Sequence, residues 1–381
     1  MVGSGQNGSV DISSGESGEK GRSLEEVRVD IDQIDSDLIR LLEKRVSLAV
    51  EIGSIKGTGN KPFFTPERER QIYDRISGLG TKHLTGQQLI SIFREVISAG
   101  RAAEKPLQIA YWGPEGTYTH QASVQVFGRS VEFMPVFNIR EVFSAVERGQ
   151  ADYGVVPVEN SVGGVVPETL DMFPRSNVKI VSETFLDIHH HLGSVADSIE
   201  DIERVYAGPQ PAAQCREWLR DHLPNAEVVD LVPTAEAAKR AAGDPKSAAI
   251  VNEVSLGLYG LRAIAEHIQD HANNRTRFVV LGFNEPAASG RDKTSVMFKL
   301  KNRRGELYRV LGCFVENEVN LTMIESRPDP RDAFQYMFYM DMDGHRTDEN
   351  VLRAINDLRS VAIETVILGS YPSYDEGLQT L

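Results

Sequence analysis

Cysteine is nearly absent from this 381-residue chain: Cys215 and Cys313 are the only two, far apart and without a CxxC neighbour. That excludes a disulfide framework and makes a zinc site unexpected. Long hydrophobic runs are missing as well. No stretch of 18 apolar residues occurs, so no membrane-spanning helix is expected. The N-terminus lacks the basic-then-apolar design of an export signal, which points to a cytoplasmic location. Positive charge is in deficit, with 41 Lys and Arg against 55 Asp and Glu and a formal charge of −14. This balance argues against nucleic acid or an anionic membrane as partner, while leaving room for a local basic pocket that takes a small anion. The length itself predicts two or three domains.

What is present falls into three patterns. Residues 1–22 are rich in Gly and Ser and are expected to be a disordered tail. Ser23 then caps a long helix. Its apolar residues Leu24, Val27, Ile31, Ile34, Leu38, Leu41, Leu48, Ile52 and Ile55 recur three and four apart with one interruption. No proline intervenes before Pro62, so about 33 residues, or about 50 Å, form one helix. Such a helix outreaches a single small core and is expected to pair with a second chain. Thr65-Pro66 opens a second helix that ends near Gly78–Gly80, and a third runs from Thr85 to about Glu104.

From Leu107 to about Gly282 strand and helix signals alternate, which predicts α/β layers. After a Pro-, Ser- and Gly-containing linker (284–293) the order becomes βαββαβ: Thr294–Lys301, Glu306–Asn317, Val319–Glu325, Phe334–Met342, Thr347–Leu358 and Val361–Leu368. That order is ferredoxin-like. The expected fold class is therefore multi-domain, α then α/β then α+β, over residues 23–104, 106–283 and 294–373, with a short tail at 374–381.

Arg45 occupies the interrupted position of the long helix, between Leu41 and Leu48, where an apolar side chain belongs. A guanidinium there costs several kcal/mol unless an anion meets it. Lys56 lies eleven residues on, at nearly the same helical angle and about 16 Å away. Arg28 is about 25 Å up the helix and points elsewhere, so it can serve only a site in another chain. Glu69 and Glu104 lie on the inward faces of the next two helices. Buried salt bridges are the plain alternative.

The run Leu24-Glu25-Glu26-Val27-Arg28, with Asp35, Arg45, Lys56, Pro66-Glu67-Arg68-Glu69-Arg70 and Phe93-Arg94-Glu95, resembles the all-helical chorismate mutase family. The resemblance implies an intertwined dimer and the pericyclic rearrangement of chorismate to prephenate. It further implies that Arg28 of a partner chain and Arg45 bind the carboxylates, that Lys56 and Glu104 address the ether oxygen, that Glu69 takes the hydroxyl, and that Arg68 lies near the substrate. Glu104 stands where some members carry Gln, so it is useful only when protonated.

In the α/β part, Gly113-Pro114-Glu115-Gly116-Thr117 joins a strand to a helix start, where backbone N–H groups can receive an anion. It matches no nucleotide-binding fingerprint. Glu159-Asn160-Ser161 ends a strand, and Thr276-Arg277-Phe278 enters another. The run His189-His190-His191 cannot place three rings on one ion from a strand, because neighbours face opposite ways. A structural role is expected for it.

Together with Gln214-Cys215 and Tyr259-Gly260-Leu261, these blocks resemble prephenate dehydratase, a fold of two α/β subdomains around a cleft like the solute-binding proteins. The resemblance implies loss of carboxylate and hydroxide from prephenate, with Thr276 as proton donor and Arg277 holding a carboxylate. Asn160, Ser161, Gln214, Phe278, Gly116 and Thr117 are expected at the substrate. The Ser-His pair usual in that family before Pro-Gln is here Ala207-Gly208, ahead of Pro209-Gln210.

Gly305-Glu306-Leu307-Tyr308 and Glu325-Ser326-Arg327-Pro328 resemble the paired motifs of the ACT regulatory domain, and imply feedback by phenylalanine bound between two chains at Gly305, Leu307, Glu325, Ser326, Arg327 and Pro328. No cofactor or metal is expected, and the assembly is expected to be a homodimer or homotetramer. Two alternatives stay open: a monofunctional prephenate or arogenate dehydratase with a helical dimerisation device, and a non-catalytic amino-acid sensor.

Overall fold

The computed structural model describes residues 22–59, 62–329 and 335–374. The expected tails, Arg22 and Tyr374 apart, lie outside the described residues, as does Phe334. The chain divides into two compact units, one ending at Leu48 and the other beginning at Ala49.

Helix α1 (Leu24–Gly59) is a single 36-residue helix. Ser23 and Glu26 start it reciprocally: the Ser23 Oγ accepts from the Glu26 N–H at 3.2 Å, and the Glu26 carboxylate accepts from the Ser23 N–H at 2.7 Å. Leu24, Ile31, Ile34, Leu38, Leu41 and Leu48 are each at least half exposed within the chain. In the second unit, α2 (Pro66–Ser77) begins on a proline whose lost N–H costs nothing at that position. α3 (Gly86–Glu104) begins on a Thr85–Gln88 capping box.

The α/β part has two lobes. The first contains β1 (Gln108–Trp112), α4 (Tyr118–Phe127), β2 (Glu132–Val136), α5 (Ile139–Glu147), β3 (Tyr153–Asn160), β4 (Gly164–Val165), α6 (Pro167–Leu170) and β5 (Lys179–Asp187). The chain then builds the second lobe from β6 (His191–Ser194), β7 (Arg204–Ala207), α7 (Pro209–Gln214), α8 (Arg216–His222), β8 (Glu227–Asp230), α9 (Thr234–Ala242), β9 (Ser247–Val251), α10 (Glu253–Tyr259) and β10 (Arg262–Ala265). It returns to the first lobe as β11 (Arg275–Gly282). The sheets run β2-β1-β3-β11-β5, with β4 beside β3, and β10-β6-β9-β7-β8. Because β11 returns between β3 and β5, its first residues sit where the two lobes meet. Asn138 and Thr117 cap α5 and α4 through their side chains.

The last part is β12 (Asp292–Lys299), α11 (Glu306–Glu316), β13 (Leu321–Pro328), β14 (Tyr336–Asp343), α12 (Glu349–Val361) and β15 (Glu364–Pro372). The antiparallel order β13-β14-β12-β15 is the ferredoxin-like one. α12 continues through Val361, where the sequence suggested the last strand begins, because Val351, Ala354, Ile355 and Leu358 keep a helical period into the core. β15 in turn extends to Pro372, with Ser370 and Tyr371 buried against β12.

Sequence patterning alone did not reveal how closely this sheet joins the first lobe. Met297, Met337, Tyr339, Leu368 and Tyr371 belong to the same apolar core as Phe143, Val156 and Val279. A Cβ on Gly369 would stand 2.0 Å from the Ile180 carbonyl oxygen, so only glycine lets β15 approach β5 this closely.

Candidate active sites

In the helical part of the second unit, α1 and α3 approach at Gly53, where a Cβ would meet the Glu104 backbone at 3.0 Å. This close crossing sets Lys56 beside Glu104: Nζ lies 3.0 Å from Oε2 and 3.3 Å from the Phe63 carbonyl oxygen. Both side chains are largely buried, at 16% and 12% exposure. Glu69 is buried and ion-paired with Arg101. Burial pushes its carboxyl upward, against the pull of Arg101 and, more weakly, of Lys56. Lys56, Glu104 and Glu69 therefore form one cluster.

Arg101, which the sequence reading missed, completes that cluster. Its guanidinium also donates to the Phe127 carbonyl and lies over the Phe64 and Phe127 rings. Its place with Ile97 and Glu104 on one helical face was the available signal. Arg68 is exposed and bonded to Gln71 at 3.0 Å. In the first unit, Arg28 is exposed and 3.6 Å from Glu25, and Arg45 is half-buried.

A cavity of about 990 Å³ opens between the two α/β lobes. Thr276 and Phe278 from β11, Pro157 and Asn160 from β3, and His190, Gln210 and Gln214 from the second lobe line it. Alternation on β11 puts Thr276 and Phe278 on this face. The Asn160 Nδ2 lies 2.8 Å from the Thr276 Oγ and 2.7 Å from the Asn274 Oδ1, while the Asn160 Oδ1 accepts from the N–H groups of Val162 and Gly163. With an amide donating to its oxygen, the Thr276 hydroxyl has its own hydrogen left for a ligand.

His190 is 2.8 Å from the Gln214 Oε1. Burial pushes its imidazole down, so the neutral ring is favoured. Its place in the wall departs from the structural role expected of the histidine run; His189 and His191 pack on His267 instead. Arg140 and Arg175, which carry no motif, also line the cavity and supply its guanidinium charge.

Four expectations are corrected here. Arg277 does not line the cavity; it leaves β11 by the opposite face into a buried ion cluster. Ser161 ties strand ends together, its Oγ donating to the Asn273 carbonyl and accepting from the Arg275 N–H, both at 2.9 Å. Thr117 caps α4. At Gly116 the carbonyl is engaged, accepting from Asn252 at 2.7 Å and Ser255 at 3.2 Å across the lobes. None of the four has the cavity contact that the resemblance implied.

Family models match in three blocks: chorismate mutase type II over residues 27–105, prephenate dehydratase over 109–286 and the ACT domain over 294–360. The chain is 43% identical to a bifunctional chorismate mutase/prephenate dehydratase of Aquifex aeolicus, over 92% of this chain and 98% of that one. The chain belongs to the bifunctional chorismate mutase/prephenate dehydratase family. A second member, from Stutzerimonas stutzeri, is 39% identical over 92% of this chain and 97% of its own. The crystal structure of prephenate dehydratase in complex with L-Phe from Arthrobacter aurescens superposes with a TM-score of 0.65 at 34% identity, covering 72% of this chain and 92% of that one.

In the ACT part, Gly305 takes a left-handed conformation (φ 87°) at the head of α11, and Leu307 follows, part-exposed. Glu325, Ser326, Arg327 and Pro328 lie on β13, an edge strand. Arg327 turns toward Asp171 of the first lobe, at 3.3 and 3.4 Å. Asp171 lines the cavity. Among the described residues no helix is long and apolar enough to cross a membrane.

Proposed function

We propose that this chain converts chorismate to prephenate in its helical part (residues 23–104) and prephenate to phenylpyruvate, CO2 and water in its α/β part (106–283). Residues 294–373 then lower the second activity when phenylalanine binds. The observation that carries the dehydratase reading is the Thr276 hydroxyl, held by Asn160, on the wall of a cavity with arginines in its lining.

Prephenate carries two carboxylates, and with Arg277 turned away the cations lining the cavity among the described residues are Arg140 and Arg175. We assign them to those carboxylates. Each contact persists through the reaction, so each binds substrate and transition state alike. Arg175→Gln or Arg140→Gln is therefore expected to raise the KM for prephenate about tenfold with kcat little changed. Steady-state kinetics on prephenate checks this; a fall in kcat at unchanged KM would reassign them.

For the mutase step, the reaction needs no proton transfer, only a held dianion and support for charge growing on the ether oxygen. Lys56 and Glu104 are assigned to that oxygen and Glu69 to the hydroxyl. Arg45 and a partner's Arg28 are assigned to the carboxylates on the sequence resemblance alone. Glu104→Gln places an amide donor at the ether oxygen, so mutase turnover is expected to be kept or raised; a large loss in chorismate kinetics would remove Glu104 from this role.

The exposed apolar stripe of α1 supports a second copy as its partner, because leaving several Leu and Ile side chains in water forgoes about 1.5–3 kcal/mol each. Phenylalanine is assigned to Gly305, Leu307, Glu325, Ser326 and Pro328, with Arg327 engaged by Asp171 in this arrangement. Titrating phenylalanine against prephenate turnover should give a saturable decrease; a flat response would count against it. The test of the whole reading is to supply chorismate and follow prephenate and phenylpyruvate separately. Both should form, in that order.

A further inference from the structure

One buried cluster is used by neither site. Arg277 is 4% exposed, and each guanidinium nitrogen has a partner: Nε donates to Glu183 at 2.8 Å, Nη1 to Asp341 at 2.5 Å and Nη2 to the Tyr371 hydroxyl at 2.9 Å. Lys293 is 3.0 Å from both Glu183 oxygens, and Ser295 bridges Asp341 (2.5 Å) and Tyr371 (2.7 Å). Two cations balance two carboxylates. Glu183 belongs to β5, but Asp341, Tyr371, Lys293 and Ser295 all belong to the ACT sheet. Two of the three guanidinium nitrogens are thus held by that sheet.

The clamp sits at an irregular point of the sheet. Pairing of β11 with β5 runs unbroken from Arg275 to Val280, but pairing with β3 is regular at Thr276–Asn160 and Arg277–Glu159 and then skips Val158 before Phe278–Pro157. On the β3 side, where Thr276 meets Asn160, the slipped ladder fixes the strand less firmly than a continuous one. A planar fork with fixed donor directions, locked by three acceptors, adds a hold on β11 at that point.

We propose that Arg277 is a positioning residue: clamped by Asp341 and Tyr371, it holds β11 so that Thr276 presents its hydroxyl to the cavity, and the ACT sheet is thereby a structural part of the dehydratase site. The inference rests on the dehydratase reading above. It also gives the effector motif a short route to the chemistry. β13, which carries Glu325–Pro328, pairs with β14, and its Met323 stands opposite Asp341.

The test uses the full chain. Asp341→Asn and Tyr371→Phe are made alone and in a Thr276→Ala background, and prephenate kcat and KM are measured beside chorismate turnover. Asp341→Asn should lower dehydratase kcat about tenfold and Tyr371→Phe about threefold, with KM within about twofold and mutase turnover unmoved. In the Thr276→Ala background each should cost less than about twofold, because the group being positioned is gone.

Wild-type kcat in both variants, a loss confined to KM, or an equal loss in the Thr276→Ala background would overturn the proposal. Should Asp341→Asn lose both activities through misfolding, Tyr371→Phe, which removes a single hydroxyl, decides. If the unaltered chain does not turn over prephenate, the function fails instead.

Discussion

Replacing Thr276 by alanine is expected to lower dehydratase turnover about 10²–10³-fold, with the KM for prephenate within about twofold and mutase turnover unaffected. The size follows from the reaction's balance. Prephenate leaves as phenylpyruvate, CO2 and water, so the departing hydroxide must acquire a proton. Formation of the aromatic ring drives the bond breaking, and the protein's part is to orient the ring and to supply or share that proton. Thr276 is buried on the cavity wall, and its oxygen receives the Asn160 amide at 2.8 Å. That donation strengthens the hydroxyl as a donor and supports negative charge on its oxygen. The contact tightens only as the hydroxide leaves, which is why the loss belongs to kcat. Thr276→Ser should recover most of the turnover and Thr276→Val none. Steady-state kinetics on prephenate checks all three, and wild-type kcat in the alanine variant would contradict the assignment.

The second large effect is at Lys56. Lys56→Met should lower mutase turnover about 10²–10³-fold and leave dehydratase turnover within about twofold. The ammonium lies 3.0 Å from Glu104 and 3.3 Å from the Phe63 carbonyl, so its position is fixed before substrate arrives. A fixed cation in a mostly dry site stabilises developing negative charge with little reorganisation. Methionine keeps the length and apolar stem but not the charge. Turnover of chorismate and of prephenate, assayed separately, gives the answer; parallel loss of both would mean that the substitution acts through folding.

Much of the fold was legible because its signals are local. Ser23, Thr85 and Asn138 all cap helices through backbone N–H groups within three residues. The βαββαβ order of the last part was readable from periodicity alone. That Lys56, Glu69 and Glu104 turn inward was readable because charge on an apolar helical face is costly unless it is met. The resemblance set Arg277 at the substrate beside Thr276, although alternation on a strand sends neighbours to opposite faces. Its partner Asp341 lies 64 residues away, a pairing that no local pattern encodes. Gly116 was expected to offer N–H groups to a ligand, yet its N–H donates to the His120 Nδ1 at 3.4 Å and its carbonyl accepts from Asn252 at 2.7 Å. Arg140 and Arg175 were invisible because they belong to no motif; only the fold of the first lobe brings them together with Thr276.

The central claim is that one chain carries two chemistries at separate sites. A chorismate time course on Thr276→Ala at neutral pH tests it most directly. Prephenate should form at the wild-type initial rate and accumulate, with phenylpyruvate nearly absent. Wild-type phenylpyruvate formation, or loss of prephenate formation along with it, would contradict the account.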